Sequence, residues 1–210
     1  MKRPYCLHLA GGMITQARLD RLDLCENRAV MPFDLQPTLR GELVMLRPLR
    51  ADDFDVLYAV ASDPLIWEQH PHPDRYKLSV FQEFFRSGIE SGGAFLVSDA
   101  KTGDVIGSTR FFHYREAESE IEIGGTFLVR SRWGGACNRE MKRLLLRHAF
   151  QFVDTVVFLV GMENMRSQRA MEKIGGIRAG TRVDNFGYER LLVRITAATF
   201  QAFTSPLQKR

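Results

Sequence analysis

One stretch of the chain combines small residues with a predicted change of secondary structure. It runs from Arg132 to Asn138, with the sequence RWGGACN, between a strand-like segment and a helical one. Glycine and alanine let the backbone approach a ligand closely, and the first turn of a helix presents unpaired N–H groups with a partial positive charge. The stretch can therefore hold a pyrophosphate. Taken alone, however, Gly134 and Gly135 favour a simple tight turn between strand and helix.

A second connection of the same kind changes that interpretation. Asn164 and Ser167 lie in a loop that follows an apolar strand-like run, and a helix begins close to Ser167. Both side chains are common helix caps, which accept hydrogen bonds from the first N–H groups of a helix. Two strand–loop–helix connections at this separation favour a ligand site that both of them line. The capping role and the binding role can hold at the same time.

Hydrophobic spacing predicts the elements that position these residues. Apolar runs predict strands at Leu43–Arg47, Ala94–Ser98, Val105–Phe112, Glu120–Val129, Thr155–Val160, Ala179–Val183 and Tyr188–Ile195. Helical spacing predicts helices near Asp52–Ala61, Val80–Ser91, Arg139–Asp154 and Arg166–Ile174. Because side chains alternate along a strand, the fourth strand is expected to place on one face Ile121, Ile123, Gly125, Phe127 and Val129, and on the other Glu120, Glu122 and Gly124.

The composition limits the class of protein and its partners. The 210 residues carry a formal net charge of +4, and their basic side chains are scattered rather than gathered into a stripe, so no nucleic-acid partner is expected. No run approaches the roughly 20 apolar residues of a membrane helix, so no membrane is expected either. Cys6, Cys25 and Cys137 are too dispersed for a disulfide framework and have no metal-ligand spacing with histidines. A reducing cytoplasm is the expected location, with no bound metal.

The chain is predicted to hold one domain with an extension at each end. Residues 1–38 lack a clear hydrophobic period and are predicted to be an irregular N-terminal extension, residues 39–204 to form the domain, and residues 205–210 to form a short tail. Met31 to Asp34 would also suit the start of a chain. The sequence therefore leaves open whether residues 1–30 belong to the native protein.

The order of these motifs resembles that of a known family. The strand from Glu122 to Phe127, the Trp-Gly-Gly turn and the segment N-x-x-S-x-x-A-x-x-K-x-G that begins at Asn164 resemble the two acetyl-CoA-binding motifs of the GNAT superfamily of N-acetyltransferases. The resemblance covers roughly residues 41–200, and its nearest branch contains the ribosomal-protein N-terminal acetylases. It implies an α/β (α+β) fold, with a mixed, mostly antiparallel central sheet that is flanked by helices and splayed between its fourth and fifth strands.

The resemblance also implies a reaction and a set of donor-binding residues. The reaction would move an acetyl group from the cosubstrate acetyl-CoA to a primary amine, either a protein N-terminus or a small molecule, without a metal. The residues implied to bind acetyl-CoA are Phe127, Leu128, Val129, Arg132, Gly134, Gly135, Ala136, Asn138, Asn164 and Ser167. The glycines and Ala136 would hold the pyrophosphate with Arg132 as a charged neighbour. The backbone of Phe127 to Val129 would pair with the pantetheine arm like an added strand, and Asn164 would hydrogen-bond that arm or an ordered water.

Acid–base chemistry is the part of the resemblance that fits less closely. An attacking amine must lose a proton, so Glu122 is the first candidate base and Glu120 the second, although both could instead be solvent-facing strand residues. The resemblance implies that Ser167 would protonate the departing thiolate, a role that some members of this branch give to the matching serine. The chain departs from the family pattern in having no tyrosine from Ala170 to Ile174, where many members have one. Ser131 also stands where the family pattern has Arg or Gln. A CoA-binding sensor or interaction module without catalysis is therefore the alternative function.

The acceptor site and the oligomeric state are less constrained. Trp67, Glu68 and His70 follow the first helix, where the superfamily places a loop over the acceptor, and they are implied to bind the amine; a proline-rich surface loop is the alternative. Cys137 is expected to be a small packing residue rather than a nucleophile that carries the acyl group. A dinucleotide enzyme is excluded because the glycine turn comes late in the chain and lacks the spacing G-x-G-x-x-G. A homodimer is left open.

Overall fold

An eight-stranded sheet runs through the computed structural model, which describes residues 32–204. Its strands are β1 (Leu39–Arg40), β2 (Val44–Pro48), β3 (Ala94–Asp99), β4 (Val105–Arg115), β5 (Glu120–Leu128), β6 (Thr155–Val160), β7 (Ile177–Val183) and β8 (Glu189–Thr196). Their spatial order is β1-β2-β3-β4-β5-β6-β8-β7. Within this sheet β5 and β6 are parallel and every other neighbouring pair is antiparallel. The mixed, mostly antiparallel sheet predicted from the resemblance is therefore confirmed.

Helices flank this sheet, as predicted. Those of the described residues are α1 (Phe54–Ala61), α2 (Leu78–Glu90), α3 (Ala136–Ala149), α4 (Met165–Glu172) and α5 (Ala197–Thr204). Helical spacing predicts the first four of them and gives no sign of α5. Across residues 32–204 no helix combines the length and the apolar character needed to cross a membrane.

The core has two parts, one on each face of the sheet. Along β3, Phe95 and Val97 belong to a cluster with residues of α3, whereas Ala94 and Leu96 belong to a cluster with residues of α1 and α2. All four side chains are buried. Because successive side chains of a strand point to opposite faces, β3 is a central strand covered by helices on both sides.

A bulge in β5 overturns the predicted alternation of that strand. Arg110 of β4 pairs with Gly124, but Ser108 pairs with Phe127, so β5 contains one extra residue between these pairs. Gly125 adopts a φ of 55°, which favours glycine. A single added residue exchanges the two faces, so Phe127 packs in the α1–α2 cluster and not with Ile121 in the α3 cluster. The prediction that Phe127 shares a face with Ile121 is therefore wrong.

The parallel pair β5 and β6 opens into a fork. The two strands pair only where Glu120 to Glu122 face Thr155 to Val157, although β5 continues to Leu128 and β6 to Val160. These are the fourth and fifth of the strands predicted from sequence. The predicted splay is therefore present, and it leaves the backbone of β5 beyond Glu122 without a strand partner on its β6 side.

The residues before β1 contribute to the core. Residues 32–38 contain no helix or strand, but Phe33 is buried, with its ring 5.2 Å from that of Phe111 and 5.7 Å from that of His148. The division between extension and domain at residues 38 and 39 stays a prediction. Residues 1–31 of the predicted extension and residues 205–210 of the predicted tail lie outside the described residues.

Replacing Phe33 with alanine is expected to lower the free energy of unfolding by about 3 kcal/mol, because it removes a buried ring and leaves a cavity. For a chain of this size the melting temperature should fall by roughly 10 °C, measured by circular dichroism. Val56→Ala is the control, since Val56 is 49% exposed and its truncation should change little. An unchanged melting temperature for Phe33→Ala would contradict the packing of this segment.

Candidate active site

A cavity of about 1250 Å³ occupies the fork between β5 and β6. It is bordered by the unpaired parts of both strands, from Gly124 to Leu128 and from Phe158 to Val160. The beginning of α3, residues of α2 and α4, the loop that precedes α2, residues of β4 and the connection between β7 and β8 also line it. A cavity of this size with free strand backbone along one side can hold an extended ligand.

The turn between β5 and α3 faces this cavity through Gly134, Gly135 and Asn138. Gly134 has a φ of 68°, and no side chain caps the N-terminus of α3. The first N–H groups of the helix therefore remain free for an anion. A Cβ at Gly135 would meet only the backbone oxygens of Arg132 and Trp133, each 3.9 Å away, so the space beside Gly135 is open to a ligand.

The loop before α4 lies on the opposite side of the fork. Asn164 is buried and caps α4, since its Oδ1 accepts a hydrogen bond from the N–H of Ser167 at 3.0 Å. Both residues also line the cavity. The cap fixes the position of Ser167 at the cavity wall, so the two roles considered from the sequence are compatible.

Glu122 stands where the fork begins. It forms, with Val157, the last residue pair between β5 and β6. It also lines the cavity and is only 9% exposed. Its Oε2 lies 3.0 Å from Nδ1 of His113, and Nε2 of His113 lies 3.0 Å from the side-chain amide of Asn185. His113 has a φ of 44°, a conformation that residues other than glycine adopt mainly where the surroundings hold them. The carboxylate is therefore oriented by a chain of side chains.

The second candidate base has a different setting. Glu120 lies outside the cavity lining and pairs with Arg182, Oε1 to Nη1 at 2.9 Å. Glu120 and Glu122 are both buried, so the interpretation of these glutamates as solvent-facing strand residues is wrong. The sheet continues through β6 and β8 beside them, and this coverage could not be seen from the local sequence.

Comparison with known proteins identifies the family. Residues 44–177, more than half of the chain, match the family model described as acetyltransferase (GNAT) domain. The chain belongs to the GNAT acetyltransferase family. The resemblance noted in the sequence is thereby confirmed. A search of curated proteins found no match to this chain.

Solved GNAT structures share the fold of this chain. A GCN5-related N-acetyltransferase from Brucella melitensis aligns with a TM-score of 0.69 and 22% identity over 85% of this chain and 88% of that chain. RimJ from Mycobacterium smegmatis, in complex with CoA-disulfide, aligns with a TM-score of 0.58 and 22% identity over 77% and 87%. Spermidine N-acetyltransferase from Vibrio cholerae, in complex with CoA and spermine, aligns with a TM-score of 0.58 and 17% identity over 76% and 99%. At these identities the likeness concerns the fold.

The GNAT cavity gathers most of the predicted site residues. Its wall includes Trp67, His70, Glu122, Phe127, Leu128, Gly134, Gly135, Asn138, Asn164 and Ser167. Four predicted residues lie outside the wall, namely Glu68, Val129, Arg132 and Ala136. The guanidinium of Arg132 pairs with Asp99 of β3, Nη2 to Oδ2 at 2.7 Å, so this ion pair ties the turn to the sheet. Arg139, in the first turn of α3, faces the cavity instead.

A buried lysine in the GNAT fork is not predicted from the sequence. Lys142 of α3 lines the cavity, and its Nζ donates to Oγ1 of Thr126 in β5 at 2.7 Å and lies 5.3 Å from the ring centroid of Phe158 in β6. Burial lowers the pKa of Lys142 from 10.5 to about 7. The available signal is its place on α3, one residue after the buried Met141 and three before the buried Leu145.

Lys142→Met is expected to stabilise the chain more at neutral pH than at pH 10. Between pH 7 and 10.5 the folded lysine is largely neutral and the unfolded one is protonated, so unfolding takes up a proton. The free energy of unfolding should therefore rise with pH across this window, by about 1.4 kcal/mol per unit at most, and methionine should remove this slope. Melting temperatures measured from pH 7 to pH 10 test this, with the exposed Lys101→Met as control. Parallel pH profiles for the two variants would contradict the assigned burial.

Of the three residues predicted to bind the amine, Trp67 and His70 line the cavity and Glu68 does not. Trp67 is 1% exposed and donates from Nε1 to the carbonyl of Ala61 at 2.7 Å, so it is chiefly a core residue that also touches the cavity. Glu68 is exposed. Burial, and then the charge of Arg75, lower the pKa of His70 to about 2. Its imidazole is therefore neutral and too weakly basic to accept the proton of an ammonium group.

Proposed function

We propose that this GNAT chain transfers the acetyl group of acetyl-CoA to a primary amine, either a protein N-terminus or a small molecule, by direct attack of the amine on the thioester. One observation carries the proposal. A single cavity in the fork joins the uncapped N-terminus of α3 to the buried carboxylate of Glu122. The same cavity is therefore bordered by a site that can bind an anionic donor and by a group that can transfer a proton.

Donor binding is proposed to use mainly backbone groups. The turn at Gly134 and Gly135 would hold the pyrophosphate, with Asn138 and Arg139 beside it. The N–H of Val129 donates to Ile106 at 2.8 Å, toward β4, so the alternation along a strand turns the N–H of Leu128 toward the fork. That N–H can polarise the acetyl carbonyl, while the neighbouring backbone pairs with the pantetheine arm. The CoA complexes of RimJ and of spermidine N-acetyltransferase support this use of the fold.

Proton transfer is assigned to Glu122 and Ser167. Glu122 would accept a proton from the amine, directly or through water, while His113 and Asn185 hold its carboxylate in place. Ser167 would donate a proton to the departing thiolate. The proposal of a CoA-binding module without catalysis is less favoured, because such a module has no need of an oriented, buried carboxylate at the fork.

Release of the CoA thiol tests the proposed function. The purified chain is incubated with acetyl-CoA and a panel of peptides and small amines, and the acetylated amine is identified by mass spectrometry. We expect thiol release that depends on the amine. Binding of acetyl-CoA without release for any amine would overturn the proposed transfer and favour a CoA-binding module.

Two further expectations accompany this proposal. The chain is expected to act in the cytoplasm, with its three cysteines reduced. The oligomeric state, for which a homodimer is one possibility, can be measured by light scattering.

A further inference from the structure

Two arginines on the acceptor side of the cavity lack a carboxylate partner. Arg110 of β4 is 5% exposed, and its guanidinium donates to the hydroxyl of Ser87 at 2.9 Å and to the carbonyl of Phe84 at 3.0 Å. Arg75, which lies just before α2, places its guanidinium 4.3 Å from the ring centroid of Phe84, and Arg110 lies 5.0 Å from the same centroid. Within residues 32–204 neither guanidinium forms an ion pair with a carboxylate.

Two other arginines of the same wall have carboxylate partners. Arg190 pairs with Asp184 at 2.7 Å, and Arg182 pairs with Glu120 at 2.9 Å. Burial lowers the pKa of Arg110 to about 10, and burial together with the charges of Arg110 and Arg190 lowers that of Arg75 to about 9. Aromatic faces offset only part of the free energy needed to bury a guanidinium. An oxyanion would supply the missing acceptor for both.

The groups around His70 also include one hydrogen-bond donor too many for the acceptors present. Nδ1 of His70 lies 2.9 Å from the backbone N–H of His72, and Nε2 lies 3.1 Å from Nη1 of Arg75. A neutral imidazole has one acceptor nitrogen and one N–H, whereas both of these neighbours are donors. In either tautomer two donors face each other. An oxygen atom placed beside Arg75 would accept from the guanidinium and relieve this conflict.

The two arginines lie away from the glycine turn, where the phosphates of the donor are proposed to bind. Arg110 pairs with Gly124, whereas the glycine turn follows Leu128, and four strand residues span roughly 13 Å. Phe112 pairs with Glu122 across the strands, and its ring centroid lies 4.9 Å from the guanidinium of Arg110. The arginines therefore lie near the proposed base, on the side where the amine must approach.

We propose that the acceptor is an amine that also carries an oxyanion, a carboxylate or a phosphate, and that Arg75 and Arg110 bind that group. This inference rests on the proposed acetyl transfer and names its substrate class. The two guanidinium groups hold the oxyanion while the amine reaches Glu122. The same positive charges disfavour a polyamine acceptor.

Matched acceptors test the substrate class. Thiol release is measured with amino acids and their carboxamides, with aminoalkyl phosphates and the corresponding amino alcohols, and with a polyamine. We expect kcat/KM to be about 10- to 100-fold higher for the anionic member of each pair, and the better of the two anion types identifies the group. Arg75→Met and Arg110→Met should remove this preference and leave acetyl-CoA binding unchanged. Arg86→Met, at an exposed position of α2 outside the cavity wall, is the matched control.

A binding measurement separates failure of this inference from failure of the proposed function. Inorganic phosphate is titrated by calorimetry into protein saturated with CoA, so that the donor site is filled. Phosphate binding that is lost in both arginine variants supports the inference, even if no amine is acetylated, in which case only the proposed transfer fails. Neutral amines or polyamines that match or exceed the anionic acceptors, or phosphate binding that is absent or unaffected by both variants, would overturn it.

Discussion

Glu122→Gln is expected to lower kcat for acetyl transfer by about 100-fold or more and to leave the dissociation constant of acetyl-CoA within about two-fold. Glutamine keeps the size of the side chain and an oxygen that can face Nδ1 of His113, 3.0 Å from the native carboxylate. It cannot accept a proton from the attacking ammonium group. The expected loss therefore falls on the chemical step, and it is measured by steady-state thiol release together with calorimetry of acetyl-CoA.

Glu120→Gln is the matched control for this prediction. Glu120 lies two residues away in the same strand and is equally buried, but it does not line the cavity, and its carboxylate pairs with Arg182. We expect it to lower the melting temperature and to change kcat by no more than a few-fold. Equal losses of kcat in the two variants, or full activity of Glu122→Gln, would show that Glu122 is not the base.

Gly135→Glu is expected to weaken acetyl-CoA binding by at least about 100-fold, because it places bulk and a negative charge where the pyrophosphate would bind. The melting temperature of the free protein should stay nearly constant. The φ of Gly135 is −91°, which any residue adopts, and the nearest atoms to a new Cβ are 3.9 Å away. Calorimetry and the rise of melting temperature with added acetyl-CoA measure the effect.

Gln82→Glu is the charge-matched control for Gly135→Glu. It adds the same negative charge at an exposed position of α2, outside the wall of the cavity, and should bind acetyl-CoA like the unmodified chain. A Gly135→Glu variant that folds and still binds acetyl-CoA tightly would place the pyrophosphate elsewhere. It would leave the turn at Gly134 and Gly135 with a purely structural role.

The sequence predicts the order of elements well because each one carries its own hydrophobic period. The strand from Glu120, the glycine turn and the helix that follows are all present where expected. The bulge at Gly125 could not be predicted in the same way, because it appears only as a shift of register against β4. It decides the face of Phe127, and local alternation therefore gives the wrong face for that residue.

The site was harder to predict, because its charged groups act through contacts between distant segments. Glu120 and Glu122 look alike in the sequence, and only the pairing of one with Arg182 and of the other with His113 distinguishes them. Lys142 is one of several basic residues on α3, and its burial depends on the packing of α3 against the fork. Arg110 becomes notable only once α2 covers its side chain.

A calorimetric titration of the full, unmodified chain with acetyl-CoA tests the central claim most directly. We predict saturable binding at one site per chain, with a dissociation constant in the micromolar range that is typical of enzyme substrates. CoA should compete for the same site. A folded chain that binds neither acetyl-CoA nor CoA would contradict the proposal that the fork between β5 and β6 is a donor site.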